Sequence, residues 1–390
     1  MYRIGQEELD AIKEVFDAKS LFRAGAKLNK VLNFEKAWGE LIGSKFSLCV
    51  SGGTAAMISG LAAMGIGPGD EVLVPAYTYI ATALVVLCVG AIPVVVDVDE
   101  TLTIDPADLE RKITPQTKAV IPVHILGKPC NMDAIMDIAK RHNLYVLEDA
   151  CQADGGSYKG QRLGAIGDVG AFSFNYFKII TAGEGGCMVT NDEVLYQKAL
   201  FYHDAGAVYF PYDIQFSVPP FCGSQFRIGE VTGAIMGVQM QRLDGILEDL
   251  RKMRAAARKL LELPKGVRFS PSNDDEGDCA TGISLLFDSE EWAQNVAETG
   301  VGYRIVTSHR HVFQTWDAVL DHKIGVHPAM NPYNFPQNQG LRTQYSRDMC
   351  SKSLDILGRS VYFGISPDWS VGELFEVCEK VNQALKAGCK

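Results

Sequence analysis

The sequence predicts an α/β fold, a mostly parallel sheet followed by a smaller α+β unit, and three observations carry that prediction. Apolar runs of strand length recur at residues 71–75, 93–98, 119–124, 144–148, 170–174 and 186–190, and a further short one ends at Val50. Helical stretches stand between several of them, and strands alternating with helices build parallel sheets whose ligands sit at the strands' carboxyl ends. With 390 residues, 47% of them hydrophobic and 22% charged, the chain is long enough for one large core and a second smaller one.

Taken in order, residues 7–18 read as an N-terminal helix and 21–25 as a loop placed to cover a ligand site. The glycines of Ser51-Gly-Gly53-Thr54 follow the first strand and open a stretch of helical composition. Residues 72–96 carry no charge, but Pro75, Gly90 and Pro93 divide them into strand, helix and strand, which argues against a membrane span. From Gly229 a long helix runs to about Leu261 and connects two domains, expected at 1–245 and 246–390. Its basic stretch, 252–259, reads as a solvated face, and 270–278 as an acidic, turn-rich loop. Residues 282–287 then read as a strand, 290–300 as a helix and 373–385 as a closing helix.

Three segments carry chemistry. Lys178 follows Phe172-Ser-Phe-Asn-Tyr-Phe and precedes the glycine-rich turn Gly183-Glu-Gly-Gly186. A lysine in apolar surroundings loses hydration of its charged form, and the free amine can then form a Schiff base with a carbonyl; the blander reading is a strand-end lysine reaching water. Asp149 ends the apolar run Tyr145-Val-Leu-Glu-Asp149, where a carboxylate either caps the next helix or holds a protonated ring nitrogen. The helix opening at Gly53 offers free N–H groups, and Ser51 and Thr54 add hydroxyls, which suits a phosphate; a simple glycine turn has the same composition. No Gly-Lys-Ser/Thr follows, so this is not a P-loop, and the dinucleotide fingerprint is missing.

With residues 65–82, 90–99, 113–124 and Glu148-Asp-Ala-Cys-Gln-Ala153, these segments resemble the pyridoxal-phosphate sugar aminotransferases of the DegT/DnrJ/StrS family over nearly the whole chain. The resemblance implies the aspartate aminotransferase architecture, PLP-dependent transferase fold type I, with a large domain on a mostly parallel seven-stranded sheet. It implies pyridoxal 5'-phosphate as cofactor, with Lys178 as its covalent attachment and proton shuttle. Asp149 would partner the ring nitrogen, Gln152 the ring hydroxyl and Tyr79 the ring face, while Gly53, Thr54 and Ser173 would hold the phosphate. His124 matches a family histidine and reads equally well as a core residue. An amino-acid donor, L-glutamate by the resemblance, a keto- or aldehyde-sugar acceptor and a homodimer with shared active sites come with it.

The chain departs from the family pattern in two places. Gly223-Ser-Gln-Phe-Arg227 stands where the family reads Gly-Tyr-Asn-Tyr-Arg. Gln225 would then be the amide that reaches the partner's phosphate, and Arg227 would grip a donor carboxylate or form a surface ion pair. Asp154 stands where a histidine is usual. In the C-terminal half, Arg304, His309, Arg310, His311 and the stretch His327-Pro-Ala-Met-Asn-Pro-Tyr-Asn334 suit sugar hydroxyls, although Pro-rich loops also serve only to turn corners. Arg304 or Arg310 would meet the carboxylate of a sugar acid, and His309 and His311, two apart, would share one face of a strand. The stretch from His327 and the late Ile365-Ser-Pro-Asp-Trp369 resemble the branch that aminates an 8-oxo-octulosonate. A dehydratase of the same family would carry histidine in place of Lys178. A non-catalytic regulator would have no need of Lys178, Asp149 and Gln152 together.

Composition narrows the partners. A net charge of -10 and a pI near 5.3, without a basic stripe, speak against nucleic acid. The first residues lack a signal's apolar core, which places the protein in the cytoplasm, and ten cysteines without a Cys-x-x-Cys spacing read as reduced thiols. No His/Cys cluster has zinc spacing, so no metal is expected.

Overall fold

The structure is a computed structural model that describes residues 3–23, 25, 27–208, 215–325 and 327–388. Its main sheet contains β1 (Phe46–Val50), β2 (Glu71–Pro75), β3 (Ile92–Val96), β4 (Thr117–Val120) and β5 (Tyr145–Asp149). A hairpin of β6 (Ser157–Tyr158) and β7 (Gln161–Arg162) intervenes before β8 (Val169–Ser173) and β9 (Gly186–Thr190) complete it. The strand order is β1-β9-β8-β5-β4-β2-β3. β9 runs antiparallel to both neighbours and every other pair is parallel, so the sheet is seven-stranded and mostly parallel as expected. β4 is shorter than the run at 119–124 because Pro122 has no N–H to give the ladder; its carbonyl still accepts from the Asp149 N–H at 2.9 Å.

Helices cover both faces. They are α1 (Gln6–Asp17), α2 (Lys30–Ile42), α3 (Gly53–Met64), α4 (Ala81–Cys88), α5 (Pro106–Arg111), α6 (Met132–His142), α7 (Glu193–His203) and the 31-residue α8 (Glu230–Leu260). Side chains of a strand alternate between faces. Leu73, Val146, Phe172 and Val189 therefore pack in one core with Trp38 of α2, Ile135 of α6 and Leu243 of α8. Val72, Leu147, Ala171 and Met188 pack in another with Leu61 of α3, Val85 of α4 and Leu200 of α7. The uncharged run 72–96 is thus β2, α4 and β3, and among the described residues no helix is long and apolar enough to cross a membrane.

A second sheet, ordered β10-β11-β13-β12 and antiparallel throughout, is formed by β10 (Val267–Phe269), β11 (Gly282–Phe287), β12 (Tyr303–Arg304) and β13 (Ser360–Gly364). Around it lie α9 (Glu290–Glu298), α10 (Asp317–Leu320), α11 (Ser351–Gly358) and α12 (Val371–Gly388). α8 is continuous through residue 245. Its basic stretch is a solvated face only at Lys252 and Lys259: Arg254 is buried and bonds Asp278 at 2.8 Å, while Arg258 bonds Asp275 at 2.6 Å. The acidic loop folds back onto the helix, so two charge runs that look separate in sequence neutralise one another.

Candidate active site

Four helices begin under an N-cap side chain that accepts their free N–H groups, namely Asp105 of α5, Asn131 of α6, Asp192 of α7 and Ser289 of α9, whereas α1, α2, α3, α4, α8, α10 and α11 do not. α2 is capped from afar, by the Glu230 carboxylate on the N–H groups of Lys30 and Val31. α3 begins behind Gly52 with no side-chain cap. Its open end is held in place by close backbone contact. A Cβ on Gly53 would lie 2.5 Å from Cys151 Sγ, and one on Gly186 would lie 2.3 Å from the carbonyl carbon of Gly52. Glycine is required at both positions so that β9, β8 and the α3 turn can meet.

That turn forms one wall of a cavity of about 560 Å³ at the carboxyl ends of β5 and β8. Gly53, Thr54, Tyr79, Asp149, Gln152, Ser173 and Lys178 all line it, as do Phe177, Arg310 and His311. Lys178 is half-buried, in a turn closed by its N–H on the Asn175 carbonyl at 2.9 Å. Its amine makes no hydrogen bond or ion pair among the described residues. The flanking aromatics Tyr176 and Phe177 are 53% and 78% exposed, so they do not wrap the amine as the sequence suggests.

Asp149 does not cap a helix. One oxygen accepts from Thr82 Oγ1 at 2.8 Å and the other from the Cys151 N–H at 3.2 Å, and each keeps a lone pair for a further donor. Thr82 in turn shares a 2.7 Å bond with Thr78. Gln152 Oε1 accepts from the Leu126 N–H at 3.0 Å, which orients the amide and leaves Nε2 as the end available to a ligand. Tyr79 is 41% exposed, its ring 5.4 Å from that of His311. Burial, with the positive charge of Lys178 adding to it, pushes the His311 pKa below the usual range, and the bond to the Ser308 carbonyl only partly opposes this.

Other expected residues are not brought to this cavity. Arg227 is ion-paired with the fully buried Asp204 and lies 5.5 Å from the Phe22 ring. Gln225 is exposed and forms a β-bridge with Asp204. Arg304 is bonded to Glu290 at 2.7 Å. His309 and His311 lie on a 3₁₀ turn, not a strand; with His309 at φ 47°, they do not share a face, and only His311 lines the cavity. His124 is the core residue of its two readings: Nδ1 accepts from the Cys130 N–H, so Nε2 carries the proton it shares with Glu148 at 3.0 Å. The stretch 327–334 folds into two 3₁₀ turns tied by Asn338 to Gly69 and Gly90, at the amino ends of β2 and β3 and thus at the far end of the sheet. In the 21–25 loop, the Leu21 carbonyl accepts from the Glu230 N–H and Arg23 is buried against Glu35; Ala24 lies outside the described residues.

Thr82, Asn175 and Glu184 also line the cavity and were not singled out in the sequence. Thr82 had a signal, since it closes the 65–82 segment five residues after Tyr77. Asp154 is fully buried, neither of its oxygens has a hydrogen-bond partner among the described residues, and burial raises its pKa well above the carboxylate range against the pull of Lys178. An unpartnered amine, a half-satisfied carboxylate and an uncapped helix end fit pyridoxal 5'-phosphate, which presents an aldehyde, a ring nitrogen and a phosphate to such groups.

Comparison with known proteins agrees. Residues 2–381 match the DegT/DnrJ/EryC1/StrS aminotransferase family. The chain is 41% identical over 248 residues to GDP-perosamine synthase of Caulobacter vibrioides, covering 62% of this chain and 64% of that one. The matched stretch thus spans just under two thirds of that relative. Among solved structures, 3-amino-5-hydroxybenzoic acid synthase superposes with a TM-score of 0.81 at 24% identity, covering 99% and 97% of the two chains. GDP-4-keto-6-deoxy-D-mannose-3-dehydratase of E. coli, with bound hydrated PLP, superposes with a TM-score of 0.80 at 23% identity, covering 99% and 98%. At those identities the likeness is one of fold. The chain therefore belongs to the DegT/DnrJ/EryC1/StrS aminotransferase family, with the type I fold of pyridoxal-phosphate enzymes.

Proposed function

We propose that this protein is a pyridoxal-phosphate-dependent sugar aminotransferase that moves an amino group from L-glutamate to the keto or aldehyde carbon of a sugar, in the making of amino sugars for cell-surface polysaccharide. The observation that carries the proposal is the pairing, in one cavity, of the unpartnered Lys178 amine with the Asp149 carboxylate. A dehydratase shares the fold, but it would have histidine at this position. For the acceptor we favour a nucleotide-linked keto-sugar, on the strength of the perosamine synthase relative. The 8-oxo-octulosonate alternative loses part of its support, because the 327–334 stretch that suggested it lies at the far end of the sheet.

In this reading Asp149 would accept a hydrogen bond from the protonated ring nitrogen on its free lone pairs, and Gln152 Nε2 would donate to the ring hydroxyl oxygen. Tyr79 would cover the ring face, and Ser173, Thr54 and the N–H groups behind Gly53 would hold the phosphate. The bound cofactor supplies an electron-withdrawing ring that stabilises negative charge on the substrate carbon. Lys178 would carry the cofactor, and its amine stands where it would hold and move the proton at the reacting carbon of donor and sugar. The exposed Tyr176, Phe177 and Gln225 suit a homodimer in which Gln225 completes the partner's phosphate site. We take 1–245 as the cofactor-binding domain and 246–390 as the smaller one, joined through α8.

The test is the visible spectrum of the purified protein with pyridoxal phosphate, before and after excess L-glutamate. A yellow band that bleaches is the expected result. Absence of a band would overturn the enzyme reading, and a band indifferent to L-glutamate would remove this donor.

A further inference from the structure

Every other arginine in the described chain directs its guanidinium to a carboxylate or a backbone carbonyl. Arg310 does not, and it lines the Lys178 cavity. Its freedom is not that of a loose loop. The Arg310 carbonyl accepts from the Ile80 N–H at 2.8 Å and from Trp316 Nε1 at 3.1 Å, and the His311 carbonyl accepts from the Thr78 N–H at 2.9 Å. The turn is thereby stapled to the segment that carries Tyr79. No hydrogen bond or ion pair joins Arg310 to the carboxylates on the cavity wall among the described residues: Asp149 accepts from Thr82 and Cys151, and Glu184 from Asn175 at 3.0 Å. Arg227 and Arg304, the other candidate grips for a carboxylate, are neutralised by Asp204 and Glu290.

We infer that Arg310 is the substrate-anion subsite of this cavity, a guanidinium fork that takes a carboxylate carried by the molecule reacting beside Lys178. In a chain of net charge -10, an ordered arginine left unpaired in a cavity is matched in charge and planarity by a carboxylate. The carboxylate comes either from the amino-acid donor or from an acidic sugar acceptor. The inference rests on the proposed function and deepens it.

The experiment compares wild type, Arg310→Gln and Arg310→Lys, all loaded with pyridoxal phosphate. Glutarate, a dicarboxylate that cannot react, is titrated calorimetrically. L-Glutamate is titrated by bleaching of the visible band, and colour is then restored with D-glucuronate or D-glucose. The variants should colour like wild type. Arg310→Gln should weaken glutarate and raise half-saturating L-glutamate about 10- to 100-fold, with Arg310→Lys between, because lysine keeps the charge and loses the fork. If L-glutamate is unaffected and only D-glucuronate loses its advantage over D-glucose, the carboxylate is the acceptor's. Wild-type-like curves for glutarate, L-glutamate and D-glucuronate would overturn the inference, as would a variant whose only change is a shift from dimer to monomer. A wild type that never colours or never bleaches refutes the function instead, and the glutarate titration still decides on Arg310.

Discussion

At the amino ends of β2 and β3, Glu71 is bonded by Arg342 at 2.5 Å and by Thr114 at 2.8 Å, and Asn338 satisfies Gly69, Gly90 and Pro332 at once. At the carboxyl ends of β5 and β8, Lys178 and Arg310 have no partner among the described residues and α3 has no side-chain cap. One sheet thus saturates its polar groups at one end and leaves them open at the other. A polar group withdrawn from water without a partner costs stability, so it persists only where something else repays it. At the closed end the pairs hold the 332–342 segment on the sheet; at the open end the groups wait for a ligand.

Substitutions at the two ends should therefore have opposite signatures. Lys178→Ala should abolish the visible band and lower turnover by at least about 10³-fold, the scale seen when a covalent catalytic group is lost. Its melting temperature should stay within about 2 °C of wild type, because no bond to the amine is broken. Glu71→Ala should keep the band and lose roughly 2–3 kcal/mol in urea melts, since Arg342 and Thr114 lose their acceptor. A Lys178 variant that unfolds, or a Glu71 variant that bleaches without L-glutamate, would break the contrast.

A further effect separates two buried titratable groups, His203 and Asp154. His203 is buried, and burial, with the charge of Arg23 adding to it, pushes its pKa down to about 3. The unfolded chain takes up this proton near pH 6.5 while the native state stays neutral, so the stability it contributes is lost on acidification from about pH 6.5 towards 3, with a slope of roughly 1.4 kcal/mol per pH unit. Urea melts between pH 7 and 5 measure the slope, and His203→Gln should flatten it. Asp154 runs the other way. Its native carboxyl stays protonated where the unfolded one ionises, so stability falls as pH rises above about 4. Asp154→Asn should be more stable than wild type at pH 8 and should lose that advantage towards pH 4, measured by the same melts.

Much of this was readable in advance where the signal is local. Glu71–Pro75 and Gly186–Thr190 are strands over the runs that their apolar residues mark, and Gly53, Asp149, Ser173 and Lys178 converge because each stands at or just beyond the carboxyl end of a strand in one sheet. The misreadings share a cause. Arg254 looked solvated until Asp278 folded onto it, and His309 and His311 looked equivalent until a 3₁₀ turn faced only one of them inward. Nothing within a few residues of Arg227 announces the buried Asp204 that holds it.

The sequence by itself determined the alternation of strand and helix, the glycines at the α3 turn and the residue types that meet a carbonyl, a ring nitrogen and a phosphate, because backbone period and side-chain chemistry are properties of short segments. Only the tertiary structure decided which charges are spent and which stay open. An ion pair between residues far apart in the chain exists only once the fold brings them together, and that pairing leaves Arg227 and Arg304 neutralised while Lys178 and Arg310 face the cavity.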